Sequence, residues 1–260
     1  MFFLSPTNTL IAAFAVLAVF LFGFFAGSFS SSPFGLNFLP SNDEPAVLNP
    51  LPASAKLEAS TNIAAVDGSG NGILNKAEVE IIDGKGRVLF NTNPFVEPDT
   101  QLSLETAAKV AFDYTNTDMS DKDVIFSVSD TPAQLIGGPS AGAAFTVATI
   151  AAIEGKQVKE GVAMTGTIDE RGRIGPIGGV FEKAKAAGGQ GLKLFLVPDG
   201  QSELVFYKQV VRERKRGFFT IRSVDFVPEK LDLKEYAMEN FSLEIKEVSN
   251  IEEAVKEMIE

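Results

Sequence analysis

Twenty consecutive residues from Leu10 to Phe29 (LIAAFAVLAVFLFGFFAGSF) carry no charge. As a helix such a run spans ~30 Å of hydrocarbon, so it divides the chain into a membrane-directed segment and everything after it. A cleaved signal peptide is the other reading, with Ala26-Gly27-Ser28 as a small-residue site. No Lys or Arg precedes Lys56, however, and the apolar run is long for a signal sequence. Residues 1–29 are therefore expected to be a retained single-pass anchor in contact with membrane lipid. Only Asp43 and Glu44 charge the following flank, which favours an extracytoplasmic body over a cytoplasmic one. Residues 30–55 hold Ser30, Ser31, Ser32, Pro33, Pro40, Pro45, Pro50 and Pro52, the composition of an extended linker.

From residue 56 to residue 260 the pattern becomes globular. Strands are expected at 57–66, 72–82, 87–95, 123–128, 162–168, 192–197, 218–224 and 243–248, and helices at 103–114, 140–153, 179–187, 202–216, 233–239 and 251–259. Strand and helix alternate through the second half, so the fold class is α/β. The formal charge of −11 argues against a nucleic-acid partner.

The chain has no histidine and no cysteine. That excludes a Ser–His–Asp triad, a thiol nucleophile and the usual imidazole or thiolate metal ligands. A hydroxyl nucleophile would need another base, and a lysine amine is the one that remains. Gly138-Pro139-Ser140-Ala141-Gly142 places Ser140 where a Gly/Pro loop enters an alanine-rich helix. The first N–H groups of a helix lack internal partners and carry positive potential, which suits a developing oxyanion. An ordinary helix N-cap is the plain alternative, and a phosphate- or nucleotide-binding loop is another. Forty-three residues on, Lys183 shares its helix face with Gly179, Val180, Ala186 and Ala187, whereas Lys185 falls on a more polar face. An amine in apolar surroundings loses affinity for its proton and can serve as a base near neutral pH. The alternative is a stem packed on the core with its head reaching water.

The segment GGPSAGAA, followed by AMTGTIDERGRIGPIGGVFEKAKAAGGQGLKLFLVP, resembles the proteolytic domain of Lon proteases from about Leu57 to the C-terminus. The resemblance implies a serine endopeptidase without cofactor or metal, acting on polypeptide substrates, with Ser140 as nucleophile, Lys183 as base and Thr165 positioning the lysine. Gly138, Pro139 and Ala141 would support the nucleophile loop. It also implies homo-oligomers, since relatives form six-membered rings. Two positions depart from the family. The acidic residue usual three places before the nucleophile is Gly137 here, leaving Asp130 as a possible substitute, and the Thr-Gly-Glu turn is Thr165-Gly166-Thr167. These departures motivate a rival reading as a binding or scaffold module with weakened catalysis. No G-x-x-x-x-G-K-[ST] loop occurs in the 260 residues, so hydrolysis independent of ATP is expected, with a separate partner ATPase as the alternative.

Two weaker signals remain. Asp67 to Glu78 has the oxygen spacing of an EF-hand calcium loop but follows a strand pattern, which favours a hairpin turn. Arg212-Glu213-Arg214-Lys215-Arg216 reads as the solvated end of a helix, with a contact to anionic lipid as the alternative.

Overall fold

The computed structural model describes residues 57–91, 95–129 and 135–260. The expected anchor and linker (1–55) and Asp130 lie outside the described residues. Among the described residues no helix is long and apolar enough to cross a membrane.

A seven-stranded mixed sheet forms the centre. In chain order its strands are β1 (Glu58–Val66), β2 (Gly72–Asp83), β3 (Val88–Asn91), β5 (Lys122–Ser129), β7 (Val162–Met164), β10 (Leu194–Pro198) and β13 (Glu244–Val248). Their spatial order is β13-β10-β7-β1-β2-β5-β3. Two short pairs lie outside this sheet: β4 (Phe95–Val96) runs parallel to β6 (Leu135–Ile136), and β8 (Thr167–Ile168) antiparallel to β9 (Ile174–Gly175). The helices are α1 (Pro98–Thr115), α2 (Gly142–Glu154), α3 (Val180–Gly189), α4 (Leu233–Phe241) and α5 (Ile251–Met258). The mixed α/β class is as expected.

Alternation along the strands sorts side chains into two cores, one on each sheet face. Ile63, Met164 and Leu196 join one core with α1, α2 and α5, whereas their neighbours Ala64, Ala163, Phe195 and Val197 join the other with α3 and α4. Helix α2 is buried on every side from Gly142 to Ile153, between the sheet and α1. Its alanines and threonines allow that close packing, and Thr146 and Thr149 return their hydroxyls to the carbonyls of Gly142 and Phe145. Ser140 is thereby fastened to the least exposed element of the fold.

The Asp67–Asn71 stretch is the tight turn joining β1 to β2. The Asp67 carboxylate accepts from the amides of Ser69 and Asn71, so it is occupied by its own loop. Glu78 lies opposite Ser60, six pairs up the ladder from Val66–Gly72, about 20 Å away at ~3.3 Å per residue. The last ligand of a calcium loop is therefore withdrawn from this turn.

Asp123, on β5, is fully buried and accepts from the amides of Lys85 and Arg87 and from the Arg87 guanidinium. These donors hold its carboxyl well below the ordinary carboxylate range, the guanidinium bond contributing most. A depressed acid stabilises the fold at pH above its ordinary pKa, and that contribution is lost as pH falls towards the depressed value. Asp123→Ala is accordingly expected to lower the melting temperature. The gap from wild type should be widest near pH 7 and narrow well below pH 4, as measured by thermal unfolding at both.

One expectation is overturned. Residues 202–216 are not a helix: β11 (Glu203–Arg216) pairs antiparallel with β12 (Phe219–Asp232) over fourteen residues each. The β-branched and aromatic residues Val205, Phe206, Tyr207, Val210 and Val211 favour extended backbone, and Ile221, Val224, Phe226 and Val227 supply a partner strand. Gly217, at φ +63, occupies the first of the two turn positions, where such hairpins need glycine. The basic run Arg212–Arg216 thus sits near a hairpin tip, not at a helix end. Smaller shifts occur elsewhere: the expected strand 162–168 breaks at Thr165-Gly166 into β7 and β8, and 87–95 gives way to the short β3 and β4.

Candidate active site

Ser140 sits in a single 3-10 turn, Pro139–Ala141, that runs into α2. Gly138 enters it at φ +87, a conformation that side chains resist. Three successive carbonyls of this turn are each held by a hydroxyl. Thr100 donates to the Gly138 carbonyl at 3.2 Å, Ser103 to Pro139 at 3.1 Å, and Thr165 to Ser140 at 3.1 Å. The Gly166 amide adds a second donor to the Ser140 carbonyl at 2.8 Å. Because a trans peptide points its N–H opposite to the preceding C=O, fixing the Pro139 carbonyl onto Ser103 turns the Ser140 amide away from α1. No motif in the sequence singles out Thr100 or Ser103. Their signal is two hydroxyl residues on the stripe of α1 that also buries Leu104, Ala107, Ala108 and Ala111.

Lys183 lies in the first turn of α3 and is 3% exposed. Its Nζ stands 2.7 Å from Ser140 Oγ and 3.2 Å from Thr165 Oγ1. Burial alone pulls its pKa down from the ordinary 10.5 to about 8, with no anion opposing the shift. Lys185, by contrast, is exposed above the Phe181 ring. The loop leading into α3 is clamped by Gln201, whose side chain accepts from the Ile177 amide at 2.9 Å and donates to the Ile177 carbonyl at 2.8 Å. No motif in the sequence draws attention to Gln201.

The proton arrangement follows from these contacts. Thr165 spends its hydroxyl hydrogen on the Ser140 carbonyl, so its oxygen can only accept from the Lys183 amine. A neutral amine that donates to Thr165 can turn its lone pair to the Ser140 hydroxyl. Ser140, Lys183 and Thr165 are thus brought together, with Gly138, Pro139 and Ala141 forming the turn beneath them.

Gly137 lies against an acid from elsewhere in the chain. A Cβ there would meet the Glu97 carboxylate, the movable end of a flexible side chain that overlies this residue. Glu97 precedes α1 and is tied to β6 through its amide, which donates to the Ile136 carbonyl at 3.0 Å. The position that lacks an acid in the sequence therefore has one beside it in space. Next to Ser140, an apolar cavity of about 50 Å³ is walled by Ile63, Phe90, Phe126, Val128, Ile136 and Phe145. Among the described residues no basic side chain lines it, which does not suit a phosphate.

Residues 71–234 match the family model of the Lon protease (S16) C-terminal proteolytic domain, well over half of the chain. The chain belongs to that family. It is 32% identical over 163 residues to the Lon protease of Desulfatibacillum aliphaticivorans, covering 59% of this chain and 19% of the relative. To the Lon protease of Lachnoclostridium phytofermentans it is 33% identical over 137 residues, covering 50% and 17%. To that of Metamycoplasma arthritidis it is 43% identical over 77 residues, covering 29% and 9%. The chain thus spans less than a fifth of the length of these curated relatives. Membership supports a serine peptidase.

Proposed function

We propose that this chain is a membrane-anchored endopeptidase of Lon type that cleaves unfolded or exposed polypeptide segments with a Ser140–Lys183 pair, without ATP hydrolysis of its own. The observation that carries the reading is the 2.7 Å approach of a buried, readily deprotonated amine to the Ser140 hydroxyl. Ser140 Oγ attacks the scissile carbonyl carbon while its proton passes to Lys183 Nζ. The oxyanion is met by the Ser140 amide at the head of α2, a donor of a kind worth ~3–4 kcal/mol in the transition state. Collapse breaks the C–N bond, and the proton on Nζ leaves with the amine. Water then attacks the acyl-enzyme, its proton returning through Nζ to Ser140 as the acid departs. Thr165 holds the amine in line, and the apolar cavity beside Ser140 suits an apolar substrate side chain. Anchoring is supported by the uncharged run Leu10–Phe29, and a ring of copies by family membership.

The test is digestion of a labelled unfolded protein by the full chain in detergent with no nucleotide present. Cleavage by wild type and none by Ser140→Ala is expected. Inert wild type, or equal cleavage by the variant, overturns the reading. Charge crowding at 137 gives a finer check. Gly137→Asp should set a second carboxylate against that of Glu97, like charges that push the loop before Ser140 out of place, and lower hydrolysis at least ~10-fold, a loss typical of misplaced catalytic groups. Adding Glu97→Gly to the same chain should recover most of it.

A further inference from the structure

The β11–β12 ribbon has no part in the chemistry above. At ~3.3 Å per residue its fourteen pairs make an arm about 45 Å long. It is rooted by Leu204 and Leu231, which pack on the α3–α4 core, and by Phe206 against Phe181 at 5.4 Å. Beyond that root, nearly every residue from Tyr207 to Lys230 is exposed on both faces. A two-stranded ribbon with no third strand and no core of its own is marginal in water, so an arm of this length calls for a surface to rest against.

Its tip defines that surface. Arg212, Arg214, Lys215, Arg216 and Arg222 gather within six residues of the turn on a chain whose net charge is −11. Glu213 is the one acid among them and is paired with Arg222 at 2.6 Å, and Arg212 is paired with Asp225 at 3.3 Å, so Arg214, Lys215 and Arg216 are the cations most available at the tip. At the apex Phe218 is 106% exposed and Phe219 76%, with Ile221 just behind. Water is a poor neighbour for two adjacent phenylalanines. A second copy is a poor occupant, because like-charged tips repel and a two-residue convex apex cannot bury the ~800 Å² that a stable protein interface needs. A bilayer accepts a narrow aromatic wedge at its interface and offers phosphates to guanidinium groups a few ångströms behind it.

We propose that the hairpin tip, Arg212 to Arg222, is a membrane-contact site in which Phe218 and Phe219 enter the interface of an anionic bilayer and the surrounding arginines and lysine bind lipid phosphates. This second contact is independent of the Leu10–Phe29 run and of peptide hydrolysis.

The chain contains no tryptophan, so Phe219→Trp places a single reporter at the apex. The full chain carrying Phe219→Trp and Ser140→Ala is mixed with vesicles of brominated phosphatidylcholine, with or without brominated phosphatidylglycerol. The expected result is a blue shift and bromine quenching of the apex indole in the anionic vesicles and little in the zwitterionic ones. A separate chain with Gln209→Trp as its reporter, halfway down the arm, should remain unquenched. Adding Lys215→Glu and Arg216→Glu to the apex-labelled chain should weaken quenching by on the order of 10³-fold in lipid concentration, since each reversal removes one attraction and adds one repulsion. Absence of quenching at the apex overturns the proposal, as does equal quenching of the mid-arm reporter, which would mean the arm lies flat. A shift that appears without vesicles and grows with protein concentration overturns it in favour of a second copy.

Discussion

Ser140→Ala is expected to depress kcat for peptide hydrolysis by roughly ten-thousand-fold or more, leaving only what binding and the amide donor supply. The change removes one oxygen from a half-exposed side chain. The contacts that hold its backbone involve the Ser140 carbonyl, not the hydroxyl, and they survive. The melting temperature should therefore stay within a degree or two of wild type. Loss of activity without loss of stability separates a nucleophile from a structural serine. A variant that is both inactive and unfolded would instead mark Ser140 as part of the scaffold.

Lys183→Met should abolish hydrolysis to a similar degree and make the protein more stable at neutral pH. The folded chain lowers the amine from 10.5 to about 8 by burying it, and each pKa unit corresponds to ~1.4 kcal/mol. Below pH 8 the unfolded chain holds a proton that the folded chain resists, so burial of this lysine costs about 3 kcal/mol there. The cost shrinks as pH rises from about 8 to about 10.5, where both forms are neutral. Methionine fills the same space without a charge but loses the bonds to Ser140 and Thr165, ~1 kcal/mol each. The net gain at pH 7 is about 1 kcal/mol, a rise of ~2–4 °C in melting temperature for a domain of this size, and it should disappear or reverse by pH 10.5. Thermal unfolding of both proteins from pH 6 to pH 11 checks this. A variant less stable than wild type at pH 7 would show that Lys183 is not held against its own charge. The same shift fixes the activity profile: wild-type kcat/KM should climb roughly ten-fold from pH 7 to pH 9 as the neutral amine becomes the major form.

What the sequence makes legible is what short-range pattern and elimination can reach. Without histidine or cysteine, Ser140 and Lys183 stand out, and the apolar neighbours of Lys183 foreshadow its burial. The short α3 and the helix after Ser140 follow from glycine punctuation and alanine content. Thr100, Ser103 and Gln201 escape notice because their work is done across the fold, on carbonyls and amides 24 to 38 residues away. Glu97 escapes for the same reason, since its nearness to Gly137 depends on the pairing of β4 with β6. The β11 strand is misread as a helix because interspersed charges break its alternation, whereas 218–224 is read as the strand that opens β12. Its β-branched and aromatic content carries the correct signal, but only the second strand makes that signal decisive.

The central claim concerns the charge of one side chain. Observing the Lys183 amine by NMR as pH is raised, in chain labelled at lysine and assigned with Lys183→Met, measures it directly. A midpoint near 8 is the expected result. A midpoint near 10.5 would contradict the account.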